Sequence, residues 1–193
     1  MHYNTHSTMS YHKKEKQLDI MKQVYEAGLQ LLSPATKEEL YPQIAKTLKV
    51  LLNSSSISIY RVYHDELVKV YTSLPELIHI YPRKSGFTYK SFKESIPYLI
   101  NKKNVTTIHP ELKQMGVSST LVIPLLFEIE PIGVLSIDFE KDQNFSPYII
   151  DTLQLFASII TFKLKNIELE SQLREMVENQ KTFISLASGS YFS

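Results

Sequence analysis

The sequence predicts an α+β domain: a central antiparallel sheet with helices on one face, ending in a long helix. Three observations predict it. Two pairs of β-branched and aromatic segments, Ile57–Tyr63 with Leu67–Tyr71 and Thr120–Phe127 with Ile132–Phe139, are each separated by a short turn, the pattern of a hairpin. Apolar residues at helical spacing precede the first hairpin and follow the second. From Tyr148 to Ser188 there is neither Gly nor Pro, and a helix of that length would run about 60 Å, beyond the width of a small domain.

The elements follow in order. Residues 1–17 are polar and aperiodic and read as a flexible tail, whose three His are tail composition rather than ligands. Leu18, Met21, Val24, Tyr25, Leu29 and Leu32 give a helix over 18–31, stopped by Ser33-Pro34. Thr36 and Glu39 form a capping-box pattern for a second helix with Ile44, Leu48, Leu51 and Leu52 on its face. Pro42 conflicts with that start, so the helix begins nearer Tyr41 or is kinked. The first hairpin turns at His64-Asp65-Glu66 and the second at Glu128–Pro131, and Pro124 marks a bulge or a sheet edge. Between the hairpins, residues 72–119 hold Pro75, Pro82, Gly86, Pro97, Pro110 and Gly116, an irregular section with one short strand at Tyr98–Ile100. Compact domains keep so long a connection when it serves as a lid or binding loop. Ser146 caps the last helix, with Pro147 at its first position and Phe145 placed to staple onto Ile150.

Composition excludes whole classes. Twenty-one Lys+Arg against twenty Asp+Glu leave a net charge of +1, which advertises neither nucleic acid nor an anionic membrane. Zero Cys removes disulfides, thiolate nucleophiles, Cys-ligated metals and any chromophore linked through sulfur, and fits a cytoplasmic location. No apolar run is long enough to span a membrane and no signal peptide opens the chain. No phosphate-loop, dinucleotide, zinc-protease or nucleophile-elbow motif occurs, so no enzymatic activity and no metal are expected. Asp138 and Glu140 share a face at period two and read as a solvated strand end; Glu38-Glu39 and Glu168/Glu170 read as exposed helix charges.

The segment from about Leu18 to Asn166 resembles a GAF domain, a small-molecule sensor module related to PAS domains. The likeness rests on the Ile57–Tyr71 hairpin, on Ser118-Ser119-Thr120-Leu121-Val122-Ile123-Pro124-Leu125 followed by Pro131-Ile132-Gly133-Val134-Leu135-Ser136-Ile137, and on Phe145-Ser146 opening a helix with Leu153, Phe156, Ala157 and Ile160 inward. It implies a six-stranded antiparallel sheet, helices on one face, and the irregular section over the other, where a ligand would lie. Phe87, Tyr89, Phe92 and Tyr98 in that section suit the wall of a small-molecule pocket, or pack the lid onto the sheet. His109 is a further wall candidate, and Ser118, Ser119 and Thr120 offer hydroxyl contacts at the pocket floor; the bland reading is that each bonds to backbone or water. His64 and His79 are weaker candidates still. A lone His makes haem disfavoured, a bilin linked through Cys is impossible, and the Phe-x-x-x-Asp-Glu pattern of cyclic-nucleotide-binding GAF domains is missing after Asn101-Lys102.

Glu168–Ser188 resembles the coiled segment that leads into the dimerisation helix of a sensor histidine kinase of a two-component system. Where that family places its phospho-accepting His, Gly189-Ser190-Tyr191-Phe192-Ser193 stand instead, so the resemblance implies a chain cut before the kinase domains and devoid of autokinase activity. Phe162, Asn166, Leu169, Leu173, Met176, Gln180 and Phe183 recur at 4-3 spacing, the seam of a parallel two-stranded coiled coil. Leu164 and Ile167 fall on a neighbouring stripe, read as a phase shift where the domain ends. The resulting expectation is a tail over 1–17, a sensor domain over 18–166, a coiled-coil signalling helix over 167–188 and a tail over 189–193. Its function would be that of a homodimeric input module with a small-molecule ligand; the alternative is a ligand-free scaffold that serves only dimerisation.

Overall fold

The computed structural model describes residues 5–31, 33, 36–103 and 108–189. Helix α1 (Thr5–Leu31) and helix α2 (Lys37–Leu52) precede the first hairpin, β1 (Ser56–Tyr63) and β2 (Glu66–Thr72). The middle section carries a 3₁₀ turn at Pro75–Leu77, helix α3 (Phe87–Glu94), strand β3 (Tyr98–Ile100) and the short helix α4 (Pro110–Gln114). The second hairpin, β4 (Ser119–Phe127) and β5 (Glu130–Phe139), leads into helix α5 (Pro147–Gly189). The strands form one antiparallel sheet in the order β2-β1-β5-β4-β3.

Local chemistry explains most of these limits. In α2 the Thr36 hydroxyl accepts from the Glu39 N–H at 3.3 Å while the Glu39 carboxylate accepts from the Thr36 N–H at 3.0 Å. That reciprocal cap starts the helix at Lys37 and carries it through Pro42, so the later start at Tyr41 does not occur. Between β1 and β2, His64 and Asp65 both have positive φ (48° and 62°), the two-residue turn whose twist matches the flanking strands. Pro124 lies on β4 just past Val122, the last residue that β3 pairs, so the ladder loses no donor there; the bulge comes next, between Leu125 and Leu126. At the head of α5 the Ser146 hydroxyl accepts from Ile149 N–H at 3.4 Å, and Phe145 packs edge-on against Phe139 at 5.5 Å.

Three expectations are corrected. The tail expected over 1–17 is helical from Thr5; Lys13, Lys14, Glu15, Lys16 and Gln17 are strong helix formers, and no Gly or Pro before Gly28 interrupts α1. Among the described residues the sheet has five strands rather than six: after β2, Pro75 and Pro82 stand in a 3₁₀ turn and loop instead of a ladder partner. Gly189, assigned to a tail, ends α5; residues 190–193 lie outside the described residues.

The sheet is covered on both faces. Ile57, Ile59, Leu121, Ile123, Leu135 and Ile137 point to the side packed by α2 and α5, where Leu40, Ile44, Phe156 and Leu164 complete the core. Tyr60, Val122 and Val134 point to the other side, beneath Tyr89 of α3 and Ile108. Gly28 lets α1 lie close on α5, since a Cβ there would stand 2.7 Å from the Ile159 side chain. The pairs Met21–Tyr148 and Gly28–Ile159 ascend together, so α1 and α5 run parallel.

Candidate functional site

The lid-side face of the sheet is polar where its strands converge. Ser58 and Tyr60 on β1, Lys69 on β2, Thr120 on β4, and Ser136 and Asp138 on β5 floor a cavity of about 70 Å³. That is roughly the share of two water molecules. Its roof comes from Leu77 to Thr88 and from Ile108 to Leu112.

Two ionisable groups dominate it. Lys69 is only 8% exposed; its ammonium donates to the carbonyls of Leu77 and Ile80 and lies 5.5 Å from the Tyr60 ring centre. Burial pulls its pKa down to about 8 against an opposing pull from Asp138. Asp138 is 2% exposed and accepts from the Ser56 hydroxyl at 2.6 Å and the Thr120 hydroxyl at 2.8 Å. Burial raises its pKa above the usual carboxylate range, opposed by those two hydroxyls and by Lys69. Asp138 is therefore no solvated strand end, because α3 and the loops cover the face it points to; Glu140, past the end of β5, is exposed. Tyr60, buried beside Asp138, has its pKa pushed well up, first by burial and then by that carboxylate.

A pH prediction follows from Lys69. Its folded pKa lies below the unfolded value, so between about pH 8 and 10 the folded protein has shed a proton that the unfolded chain keeps, and stability contributed by this group rises with pH. Thermal melts from pH 7.5 to 10 should show that rise in the wild type and not in Lys69→Met. Identical slopes in the two proteins would show that Lys69 titrates normally.

The expected wall residues divide. Phe87 and His109 reach the cavity. His109 also caps α4, its Nδ1 accepting from Glu111 N–H at 3.4 Å. Tyr89, Phe92 and Tyr98 pack the lid instead: Tyr89 is buried with its hydroxyl between Leu67 N–H and Glu66, and Phe87 and Tyr98 lie 5.1 Å apart with Lys90 over both rings. Ser118 and Ser119 stand outside; the Ser119 hydroxyl serves the backbone of Lys141 and Gln143. Thr120, expected from the sequence to offer a hydroxyl at the pocket floor, lies on that floor, whereas Lys69, Ser58 and Ser136 were not singled out from sequence. The available signal was period-two alternation that places them on the face opposite Ile57, Ile59, Leu121 and Ile137. Among the described residues no cluster of His, Asp and Glu could hold a metal ion, and no helix is long and apolar enough to cross a membrane.

A second surface lies on α5. Tyr148, Leu155, Phe162, Leu169, Met176 and Phe183 recur every seven residues and are all exposed, as are Leu173 and Gln180. Leu164 is buried and Ile167 packs on the core, so they form the separate domain-facing stripe and the outward series keeps its phase. α5 loses its cover just after Glu168, whose carboxylate takes Arg61 at 2.7 Å, Lys37 at 3.4 Å and Lys165 at 3.6 Å. Glu168 is thus an ion-paired residue rather than an ordinary exposed helix charge.

Comparison with known proteins agrees with this architecture. The GAF domain from a phosphoenolpyruvate-protein phosphotransferase of Coxiella burnetii superposes with a TM-score of 0.70 at 14% identity, covering 81% of this chain and 98% of that one. Free methionine-R-sulfoxide reductase from Neisseria meningitidis gives 0.66 at 18% identity, covering 80% and 93%. The GAF domain of a two-component sensor histidine kinase from Bacillus halodurans gives 0.54 at 19% identity, covering 65% and 91%. At these identities the likeness establishes the fold alone. No curated protein matches the chain. The GAF domain family model matches residues 36–164, from the Thr36 cap of α2 to the buried Leu164 of α5, and the chain belongs to the GAF domain family.

Proposed function

We propose that this chain is the sensory input module of a signalling protein, of the kind found with histidine kinases, and that it works as a parallel homodimer that transmits through α5. The observation that carries this reading is the double life of α5. Its inner stripe of Leu153, Phe156, Ile160 and Leu164 is core, while its outer stripe runs unbroken from Tyr148 to Phe183. Any change that tilts the sheet must move α5, and an exposed apolar ladder of that length favours a partner helix over water. Asn166 and Gln180 on the seam lower stability but favour one register. Sedimentation equilibrium should give a dimer at tens of micromolar. Truncation after Glu170, which keeps Glu168, should weaken it at least tenfold. A monomer at that concentration overturns the reading.

A cavity of about 70 Å³ also supports a second reading, a scaffold that dimerises without any ligand, since binding sites for drug-sized molecules are several hundred Å³. Thermal shift with small polar metabolites separates the two, because only a sensor gains melting temperature.

A further inference from the structure

Lys69 and Asp138 are both more than nine-tenths buried and floor the same cavity, yet no ion pair joins them among the described residues. They sit on β2 and β5, which β1 separates; Lys69 is level with Tyr60 of β1 and Asp138 with Ser56, so their backbones are about 16 Å apart at the usual strand spacing and rise. Each has capacity left. The ammonium has three N–H donors and two are taken by Leu77 and Ile80. Each Asp138 oxygen accepts one hydroxyl and retains a lone pair. Ser136, between them on the floor, presents a hydroxyl that no described residue engages. Opposite charges that are buried without touching are costly, and a molecule that spans them relieves both.

We propose that the cavity takes a small dipolar molecule, with an oxygen acceptor held by Lys69 and an N–H donor held by Asp138, the pattern of a short amino acid. The proposal rests on the cavity being the sensory site. A simple anion would satisfy Lys69 and meet Asp138 unfavourably; a simple cation would do the reverse. The volume restricts the closed site to the smallest amino acids, and a longer side chain requires the roof at Leu77–Gly86 to shift.

Isothermal titration at pH 7 with glycine, L-alanine, acetate and ethylamine tests it on the wild-type chain. Glycine or L-alanine should bind, with acetate and ethylamine at least tenfold weaker. Lys69→Met should lower affinity for the dipolar probe at least tenfold, and Thr120→Val, which frees the Asp138 carboxylate to turn, should lower it severalfold. Circular dichroism should match the wild type in both. Acetate or ethylamine binding as well as the amino acids overturns the proposal, as does unchanged L-alanine affinity in a folded Lys69→Met. Binding of imidazole alone, abolished by Ser136→Phe, would sink the dipolar ligand and leave the sensory site standing. Binding by none of these probes would overturn the dipolar ligand, and the sensory reading would then stand or fall on the dimer measurement.

Discussion

Gly133→Ala should destabilise the domain by about 3 kcal/mol or more, at the upper end of what overpacking costs. Gly133 lies on β5 at the centre of the sheet, opposite Arg61 of β1 and Leu125 of β4. A Cβ there would stand 2.3 Å from the Tyr60 carbonyl oxygen, a backbone atom that cannot swing aside. Either β5 separates from β1 or the ladder shifts, and both disturb the core face and the cavity floor together. In urea, the midpoint should fall at unchanged slope, and the melting temperature should drop by roughly 6–12 °C. A loss under about 1 kcal/mol would mean that the strands yield more easily than a closed ladder allows.

The second large effect is expected at Glu168→Ala, which should cost about 2–4 kcal/mol, near the range for breaking one side of a buried ion pair. Arg61 is 7% exposed; its Nε donates to Ile132 O at 3.1 Å, its Nη2 to Glu168 at 2.7 Å, and its Nη1 is buried with no hydrogen-bond partner. Without Glu168 the guanidinium charge is stranded beneath α5. The double variant Arg61→Met with Glu168→Leu should recover most of the loss, because two apolar groups leave no uncompensated charge. Equal additive losses in the two single variants and the double one would show that the pair is not coupled.

The same residues show where sequence reading succeeds and where it stops. Hairpins, the Thr36–Glu39 cap and the Phe145-Ser146-Pro147 helix start are local patterns, and each appears in the fold at the expected place. Arg61, Lys69 and Asp138 were illegible because burial is not local. In a strand with one solvated face a polar residue reads as outward, but here α5 closes over Arg61 and the loop after β2 closes over Lys69. The aromatics of residues 87–98 were legible as a cluster and not as a wall, since whether they face the cavity depends on how α3 docks. The early start of α1 was hidden for the opposite reason: propensity continued where apolar periodicity had ended.

The parallel course of α1 and α5 has a mechanical meaning. α1 comes in along the axis from the end where α5 begins, and α5 departs from the opposite end after Glu168. Segments attached before the one and after the other would therefore lie in series, like couplings on a shaft, with this domain gripping both rods side by side. At about 1.5 Å per residue α5 alone is a rod of about 65 Å. In that layout a displacement of one rod would reach the other through the contacts they share along their length. The close seat of Ile159 against Gly28 would then be the point where the two rods are clamped most tightly together.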